Sequence, residues 1–389
     1  MTDNNENKVL NVPPLRFPEF SGEWKCTTIG NIGDIKNGPF GSVLHAEDYV
    51  ENGIPIVTTE HFKTGLMPSD KFGIPQVSNE DYIRLKGYRL ETNDIVFSRV
   101  GSVDINAHVG IEQNGWLFSG RVLRVRPKYD IDSLFLHYAL STEAVKRDIR
   151  NRAVGQTMPS INTPILSSTT IQLPKDLFEQ KKVAHFLRLL DERIITQNKI
   201  IEKLQSLIKG IAQHCIKEST SGNTYVKLGD ICQITTGKLD ANAQVDNGIY
   251  PFFTCAEQPF KIDSFAFDTE ALLISGNGAN LGYINYYKGK FNAYQRTYVL
   301  DLFSENIQYI KWALKVLLPK RIAIEKSSSN TPYIVLSTLT DLRLPIPCKS
   351  KQSFIANLMQ SLERKLSNQI AQYDSYNYLK QYLLRQMFI

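Results

Sequence analysis

The sequence predicts an α+β fold with two globular parts of mixed α/β structure, separated by two long helices that pack as an antiparallel coiled coil, in a pseudo-two-fold repeat. Three observations predict it. Two long segments carry a heptad pattern of apolar residues, the second segment repeats the first at an offset of 172 residues, and strand and helix patterns fill the stretches between. The predicted parts are residues 1–175, 176–217, 218–347 and 348–389.

The two globular parts mix strand and helix signals. Val122, Leu123 and Val125 alternate with arginines, as on a half-exposed strand, and residues 298–300 form a similar run in the second copy. Residues 132–152 and 307–324 each predict a helix that ends in basic side chains. Loops rich in glycine and asparagine interrupt the strands.

The first long segment places apolar residues at the a and d positions of successive heptads. A continuous helix over residues 176–217 would be about 63 Å long at 1.5 Å per residue, which is longer than ordinary globular helices. The second segment repeats the pattern, because Gln180, Leu190 and Ile194 match Gln352, Leu362 and Leu366. The predicted seam consists of Leu187, Leu190, Ile194, Gln197, Ile201, Leu204, Leu362, Leu366, Gln369 and Leu383.

Two glutamines occupy the same d position of the two helices, Gln197 in the first and Gln369 in the second. A buried polar residue in a seam sets the register of the helices at some cost in stability. The alternative is that both glutamines face solvent at a frayed seam. A chain that must return over about 60 Å needs the second globular part to turn around, so antiparallel packing with one globular part at each end is predicted.

The positive charge lies in the helical segments. The net charge is +6; residues 1–175 hold 19 basic and 20 acidic side chains and residues 218–347 hold 12 of each, whereas the helical segments hold 8 against 5 and 6 against 2. A small net positive charge is a weak indication of nucleic-acid binding. The basic helices either lie over DNA or are solvated faces.

Several classes of protein lack support in the sequence. Five scattered cysteines without a CxxC pair argue against a zinc ribbon and favour a reducing, cytosolic setting. No apolar run reaches the length of about 18 residues that predicts a membrane span, and the polar N-terminus is unlike a signal peptide. There is no Walker A motif, residues 276–282 have the wrong spacing for a dinucleotide loop, and the six histidines show no metal-binding spacing.

Five strings stand in order along the chain, at residues 12–24, 38–42, 53–57, 94–102 and 155–157. In this order they resemble one family, the specificity (S) subunits of type I restriction–modification systems. Together with the duplicated plan of a globular part and a helix, they extend the resemblance over essentially the whole chain. The second copy departs from it where Gly276, Asn277 and Gly278 replace the Arg99-Val100-Gly101 string of the first copy.

This resemblance implies a non-catalytic, cytoplasmic bacterial subunit that reads double-stranded DNA. Two target-recognition domains would each read one half of a bipartite sequence, and the paired helices would fix the unread spacer and dock two modification (methyltransferase) subunits. Restriction subunits, which are ATP-dependent translocases and endonucleases, would complete the assembly. No cofactor is expected in this chain; S-adenosylmethionine, ATP and Mg²⁺ would be bound by the partner subunits.

Base readout needs hydrogen-bonding side chains on loops or strands, and phosphates need cations. For the first domain we expect base contacts from Arg99, Gln156, Thr157 and Ser160, and phosphate contacts from Lys36, Ser42, Arg150 and Arg152. For the second domain we expect base contacts from Lys238, Asn277, Arg296, Ser328, Ser329 and Asn330, and phosphate contacts from Lys320 and Arg321.

Two other functions remain open at this stage. The chain could be a scaffold or decoy that binds methyltransferase subunits without reading DNA. It could also be an autonomous DNA methyltransferase, since residues 330–333 resemble the catalytic Asn-Pro-Pro-Tyr loop of amino-methyltransferases, with Thr331 in place of the first proline. No glycine-rich methyl-donor motif stands upstream, so a turn is the expected structure there.

Overall fold

The computed structural model describes residues 11–39, 44, 46–219, 224–325 and 333–389. The chain divides into two compact units. Unit 1 comprises Met1–Thr196 and Tyr373–Ile389, and unit 2 comprises Gln197–Gln372. Each unit therefore combines a globular part with segments of both long helices.

Unit 1 contains two four-stranded sheets and a two-stranded ladder. The central sheet has the order β2-β9-β6-β7 and is antiparallel, the second sheet has the order β3-β5-β4-β8, and β1 pairs with β10. The strands are β1 (Lys25–Thr28), β2 (Gly33–Asn37), β3 (Tyr49–Val50), β4 (Ile54–Val57), β5 (Gln76–Val77), β6 (Ile95–Ser98), β7 (Asn106–His108), β8 (Leu117–Phe118), β9 (Val122–Pro127) and β10 (Thr170–Leu173). The helices are α1 (Ile29–Ile32), α2 (Asn79–Arg84), α3 (Ser133–Leu140), α4 (Glu143–Arg152) and α5 (Thr163–Ser167).

The strand predicted around Val122 is confirmed as β9, but it is more deeply buried than the alternating pattern predicts. β9 lies between β2 and β6, and Arg124 is only 4% exposed because both faces of the strand are covered. An ion pair with Asp34 engages Nη2 of the buried guanidinium, whereas its Nε has no hydrogen-bond partner among the described residues. The alternation of apolar and basic residues in β9 therefore belongs to a strand with both faces packed, and the basic side chains on one face form ion pairs with carboxylates.

The single helix predicted over residues 132–152 is wrong in one respect. The structure has two helices, α3 and α4, which are separated at Ser141 and Thr142. Both side chains turn back onto the preceding helix, where the Ser141 hydroxyl donates to the His137 carbonyl and the Thr142 hydroxyl donates to the Ala139 carbonyl. Serine and threonine compete with the helical hydrogen bonds in this way, so the chain breaks there before α4 begins.

The first long helix, α6 (Leu177–Ser219), leads from unit 1 into unit 2. Unit 2 contains a six-stranded sheet with the order β12-β17-β15-β16-β13-β14 and a ladder of β11 with β18. Its strands are β11 (Thr224–Lys227), β12 (Gln233–Thr236), β13 (Tyr250–Phe253), β14 (Phe260–Ile262), β15 (Phe267–Ser275), β16 (Ile284–Ala293), β17 (Thr297–Asp301) and β18 (Arg343–Ile346). Its helices are α7 (Ile307–Glu325) and α8 (Leu336–Thr340), followed by the second long helix, α9 (Lys349–Gln386).

The two units share a topology, as the sequence repeat predicts. The order β2-β9-β6-β7 of unit 1 corresponds to β12-β17-β15-β16 of unit 2, with antiparallel pairing throughout. The ladder β1-β10 corresponds to β11-β18, and each ladder immediately precedes a long helix. The pseudo-two-fold repeat is therefore a repeat of tertiary structure.

The long helices pack antiparallel within each unit. In unit 1, Asp191 of α6 forms an ion pair with Lys380 of α9 at 2.6 Å, and Arg193 lies over the Tyr376 ring. In unit 2, the Gln197 side chain bonds to Gln369, whereas the Glu218 carbonyl accepts from Lys351. Contacts that move forward along α6 therefore move backward along α9, and the predicted antiparallel pairing is confirmed.

A glutamine near the start of each long helix anchors that helix to its own globular part. The Gln180 amide donates to the Pro174 carbonyl at 3.0 Å, and its oxygen accepts from the Asp132 backbone N–H at 2.9 Å. Gln352 repeats both bonds in unit 2, to the Pro347 carbonyl and from the Asn306 N–H. The offset of 172 seen in the sequence thus marks equivalent anchoring positions.

Candidate nucleic-acid interface

One edge of the central sheet of unit 1 gathers several of the predicted DNA-binding residues. β2 and β6 end there and β9 begins there, since Asn37 pairs with Leu123 and Ser98 with Val122. Immediately beyond the strands, the Arg99 N–H donates to the Arg121 carbonyl at 2.9 Å. The edge therefore places Arg99 beside Arg121, and β2 brings the exposed Lys36 close to the same end.

The loop of residues 154–160 is attached to this edge. Val100 and Ser160 form an antiparallel bridge, and the Ile161 N–H donates to the Arg99 carbonyl at 2.9 Å. Ser160 is half-buried, and its backbone pairs with Val154 across the loop. Gln156 and Thr157 are exposed at the tip of this loop. The structure therefore brings together the four residues for which base contacts are predicted in this domain.

The arginines near the edge differ in what they already bind. Arg150 pairs with Asp104 and Glu143. Arg152 pairs with Asp148 and also donates to the Ile165 carbonyl at 3.0 Å and to the hydroxyls of Ser168 and Thr169. These internal contacts occupy the hydrogen-bonding groups that a phosphate would need. The predicted phosphate contacts of both arginines stay predictions. In the structure, Arg152 joins α4 to the end of α5, and Arg150 joins α4 to the turn before β7.

Arg99 and Arg121 have no carboxylate partner in the part of unit 1 that the structure describes. Arg99 donates one hydrogen bond, from Nη1 to the Gly120 carbonyl at 3.2 Å, and Arg121 is exposed. Burial raises the pKa of the nearby Tyr49 hydroxyl, and the positive charge of Arg121 opposes that rise. Because neither guanidinium group is paired with a carboxylate among the described residues, both keep N–H donors available for a ligand.

These two arginines line an open cleft of about 460 Å³. Its walls are formed by Pro39, Leu44, Tyr49, Thr58, Thr59, Glu60, Arg99, Ser119, Gly120 and Arg121. Two backbone segments approach closely beside the cleft, because a Cβ atom on Gly38 would lie 1.9 Å from the Ser119 carbonyl oxygen and one on Gly120 would lie 2.2 Å from the Pro39 carbonyl oxygen. Such close backbone approach leaves the loop that carries Arg121 little room to move.

Unit 2 builds the equivalent edge with different side chains. Thr236 pairs with Tyr298 and Ser275 with Thr297, so β12 and β15 end where β17 begins. The Gly276 N–H donates to the Arg296 carbonyl at 2.8 Å, which repeats the bond between Arg99 and Arg121 in unit 1. The edge therefore brings Asn277 and Arg296 together, next to the exposed Lys238 that follows β12.

A thiol and two amides replace the first arginine at this second edge. The Cys255 thiol donates to Asn277 Oδ1 at 3.1 Å, and the Asn280 amide donates to the Cys255 carbonyl at 3.0 Å. Gly278 has a φ of +80° and Gly101, its counterpart in unit 1, has a φ of +82°, so both turns need glycine. The backbone of the turn is thus repeated, while the groups that a ligand would meet differ between the units.

The remaining predicted contacts are only partly covered by the structure. Lys320 is exposed near the end of α7. Arg321 is half-buried beside Asp341; a hydrogen bond from Lys227 lowers the pKa of the Asp341 carboxyl, and the charge of Arg321 adds to this effect. Four predicted residues lie outside the described residues, namely Ser42, Ser328, Ser329 and Asn330.

Several residues at the two edges were missed by the sequence analysis. Arg121 was not among the predicted contacts, although it stands directly before β9 as Arg296 stands before β17. Aligning the two copies on these strands would have identified it. No sequence pattern marks Glu60 or Cys255, because only contacts between segments distant in sequence bring them to the two sheet edges.

The predicted seam residues lie on the packed faces of the long helices. Leu187 and Leu383 are buried in unit 1, where Leu190 and Ile194 are half-buried; in unit 2, Ile201 and Leu204 are buried and Leu362 and Leu366 are half-buried. Gln197 is only 1% exposed, and its Nε2 donates to the carbonyl and the side-chain oxygen of Gln369 at 2.9 and 3.0 Å. The alternative in which both glutamines face solvent therefore fails for Gln197.

The described residues contain no group of three or more His, Cys, Asp or Glu side chains arranged to hold a metal ion. In the same part of the chain, no helix combines the length and the apolar character that crossing a membrane requires.

The repeated sheet order and the repeated ladder define a tandem of two related domains, each followed by a long helix. The sequence profile of the type I restriction modification DNA specificity domain matches residues 21–206 and again residues 220–373. Because the two matches together span most of the chain, the protein belongs to this family. The family resemblance predicted from the sequence is confirmed.

Curated relatives agree with this assignment. The chain is 44% identical to the type I restriction enzyme EcoDI specificity subunit of Escherichia coli over 137 residues, which are 35% of this chain and 30% of that protein. It is 24% identical to the MjaVIII specificity subunit of Methanocaldococcus jannaschii over 399 aligned positions, covering 90% of this chain and 87% of that protein. The first similarity is strong but local, and the second is weaker and nearly complete.

Solved structures share the fold over nearly the whole chain. The crystal structure of a type I restriction–modification S subunit from M. genitalium superposes with a TM-score of 0.66 at 18% sequence identity, covering 97% of this chain and 99% of that one. A chain from a structural study of type I R-M complex assembly superposes with a TM-score of 0.58 at 16% identity, covering 96% and 99%. At these identities the likeness concerns the fold.

Proposed function

We propose that this chain is the DNA-reading subunit of a type I restriction–modification complex, in which each globular part reads one half of a bipartite target. The observation that carries the proposal is the repeated sheet edge. In each unit, the equivalent strand ends present hydrogen-bonding side chains, Arg99 and Arg121 in one and Asn277 and Arg296 in the other. Arginine and asparagine are the side chains that read guanine and adenine in the major groove.

The difference between the two edges supports an asymmetric target. If equivalent turns carried the same side chains, a two-fold repeat would read two copies of one half-site. Here Gly276 and Asn277 stand where Arg99 and Val100 stand in unit 1, so the donors and acceptors at the two edges are not the same. Two different half-sites are therefore the expected target.

In this proposal, α6 and α9 fix the number of unread base pairs and provide the docking surface for two modification subunits. Restriction subunits join the same assembly. Methyl transfer from S-adenosylmethionine, ATP hydrolysis and DNA cleavage would be carried out by those partners, so the isolated chain is expected to have no catalytic activity. The nearly neutral globular parts are consistent with partners that neutralise much of the phosphate charge.

A domain replacement tests the proposal. The chain is expressed with its modification partner, and the methylated motif is read by methylome sequencing. Replacing residues 20–170 with the equivalent part of a relative should change one half of the motif and leave the other half intact. The matched exchange of residues 228–340 should change the opposite half.

The outcomes separate the candidate functions. A change in both halves, or in neither half, would contradict independent reading by the two units. If no methylation depended on the chain when the modification partner is present, the scaffold that does not read DNA would be the better account. Methylation of DNA by the purified chain alone would instead establish an autonomous methyltransferase.

A further inference from the structure

The cleft of unit 1 is lined by two arginines whose charge is not paired with a carboxylate among the described residues, in contrast to seven other arginines of that unit. Arg99 and Arg121 line it, and within the described residues neither is paired with a carboxylate. The arginines of unit 1 whose charge is already paired with carboxylates are Arg16, Arg84, Arg124, Arg126, Arg150, Arg152 and Arg188. Because no carboxylate among the described residues neutralises them, the two cleft arginines can pair with a ligand without first breaking an ion pair.

The same cleft is also lined by an acceptor, the carboxylate of Glu60. Glu60 lies on the 3₁₀ turn Thr59–Phe62, which is held in place by the fully buried Phe62 and by a 3.0 Å hydrogen bond from the Thr58 N–H to His61 Nδ1. Its one ion pair, with Lys63, is largely exposed on both sides. Exposed pairs of this kind contribute little, so the carboxylate can exchange this partner for a ligand.

An arginine donor and a carboxylate acceptor in one cleft match one kind of base pair. In the major groove, guanine presents the O6 and N7 acceptors that arginine binds through two parallel bonds, and cytosine presents an N4 amino donor that a carboxylate accepts. An A·T pair presents no pair of acceptors on one base. With the arginine on adenine, the carboxylate would meet the thymine O4 acceptor or methyl group; with the carboxylate on the adenine N6 amino group, the arginine would find only the single thymine O4 acceptor. The combination therefore favours a G·C pair.

We propose that this cleft reads a guanine–cytosine base pair in the half-site of unit 1, with Arg99 on the guanine, Glu60 on the cytosine amino group and Arg121 on an adjoining phosphate. The inference rests on the proposed function, that unit 1 reads DNA. Arg99 is the base reader because its bond to the Gly120 carbonyl orients the guanidinium. Arg121 is more exposed and has no such bond within the described residues, which suits a phosphate contact.

The test compares single variants of the chain in complex with its modification subunits. Arg99→Ala and Glu60→Gln should both relax the same single G·C position of the methylated motif, with discrimination falling roughly 5- to 150-fold. Arg121→Ala should keep the motif, weaken DNA binding by the purified complex about equally for all sequences, and reduce the salt slope of binding by about one. The matched control is Arg147→Ala, an exposed arginine of α4, which should change neither motif nor affinity.

Arg99→Lys protects the test against a folding defect. Lysine keeps the charge but cannot form the two parallel bonds, so it should also relax the G·C position. A half-site without a G·C pair, or a G·C position that stays strict in both Arg99 variants, overturns the inference and leaves the proposed function intact. Failure of the proposed function looks different, because the wild-type complex would then show no bipartite motif.

Discussion

Lengthening both long helices by one heptad should lengthen the unread spacer of the DNA target. The insertion is placed after Leu204 in α6 and after Arg364 in α9, where the antiparallel register brings the two helices together in unit 2. That register follows from Gln197 bonding to Gln369 and Lys351 bonding to the Glu218 carbonyl. The anchoring contact of Glu363 with Lys311 stays on its own side of the insertion.

The size of the effect follows from helix geometry. Seven residues add about 10.5 Å to each helix at 1.5 Å per residue. DNA rises about 3.4 Å per base pair, so the spacer should grow by about three base pairs while both half-site sequences persist. A heptad keeps the a and d positions in phase, so the seam and the polar pair are preserved.

Methylome sequencing of a host carrying the insertion variant and the modification partner measures the spacer directly. The control inserts two residues at the same places, which rotates the following helical stripe by about 200° at 3.6 residues per turn. This variant should lose its seam and with it all methylation. An active heptad variant with an unchanged spacer would refute the reasoning and reduce the helices to a docking surface.

Three further predictions concern stability, each measured by thermal unfolding of the purified chain. Gln197→Ala should lower the free energy of unfolding by about 2–3 kcal/mol, because it removes two buried hydrogen bonds and leaves a cavity; no loss would mean that the polar pair does not hold the seam. Glu363→Gln should cost about 1–3 kcal/mol at neutral pH by leaving the Lys311 charge without its partner. Burial lowers the pKa of Lys311 below its ordinary 10.5, so this lysine loses its proton in the folded state at a lower pH than in the unfolded state. Because a neutral Lys311 no longer needs the carboxylate, the loss of stability in Glu363→Gln should shrink as the pH rises towards 10.5. A loss that grows with pH would contradict this prediction. Gly101→Ala should cost about 1–2 kcal/mol from backbone strain alone, since φ is +82° and no atom lies within 4 Å of the new Cβ, whereas Gly101→Asn should cost less.

The helical half of the fold was predictable because its signal is local. Heptad spacing and the offset of 172 residues located α6, α9 and their antiparallel pairing, and Gln180 and Gln352 proved to be equivalent anchors. The break between α3 and α4 was missed, since it depends on two hydroxyl groups that bond back to the preceding helix. Helical periodicity alone does not report such competition.

The candidate site was predictable only in part. Residue type and loop position identified Arg99 and Arg296, which both lie at the strand ends of their sheets, although Arg296 corresponds to Arg121 and not to Arg99. The same reasoning selected Arg152, whose guanidinium is engaged by Asp148 and by helix-end groups, and it overlooked Glu60, which tertiary contacts bring to the cleft. Whether an arginine is already paired depends on residues far away in sequence, so composition and spacing cannot separate a structural arginine from one that can bind a ligand.

In the proposed function, this one chain specifies both halves of a bipartite DNA sequence. The most direct test of this function is methylome sequencing of a host that lacks type I systems, with the modification partner expressed with and without the chain. The account predicts that methylation appears only with the chain, at one asymmetric motif of two different half-sites separated by bases of any identity. A contiguous motif, two identical half-sites, or a motif that is methylated without the chain would contradict it.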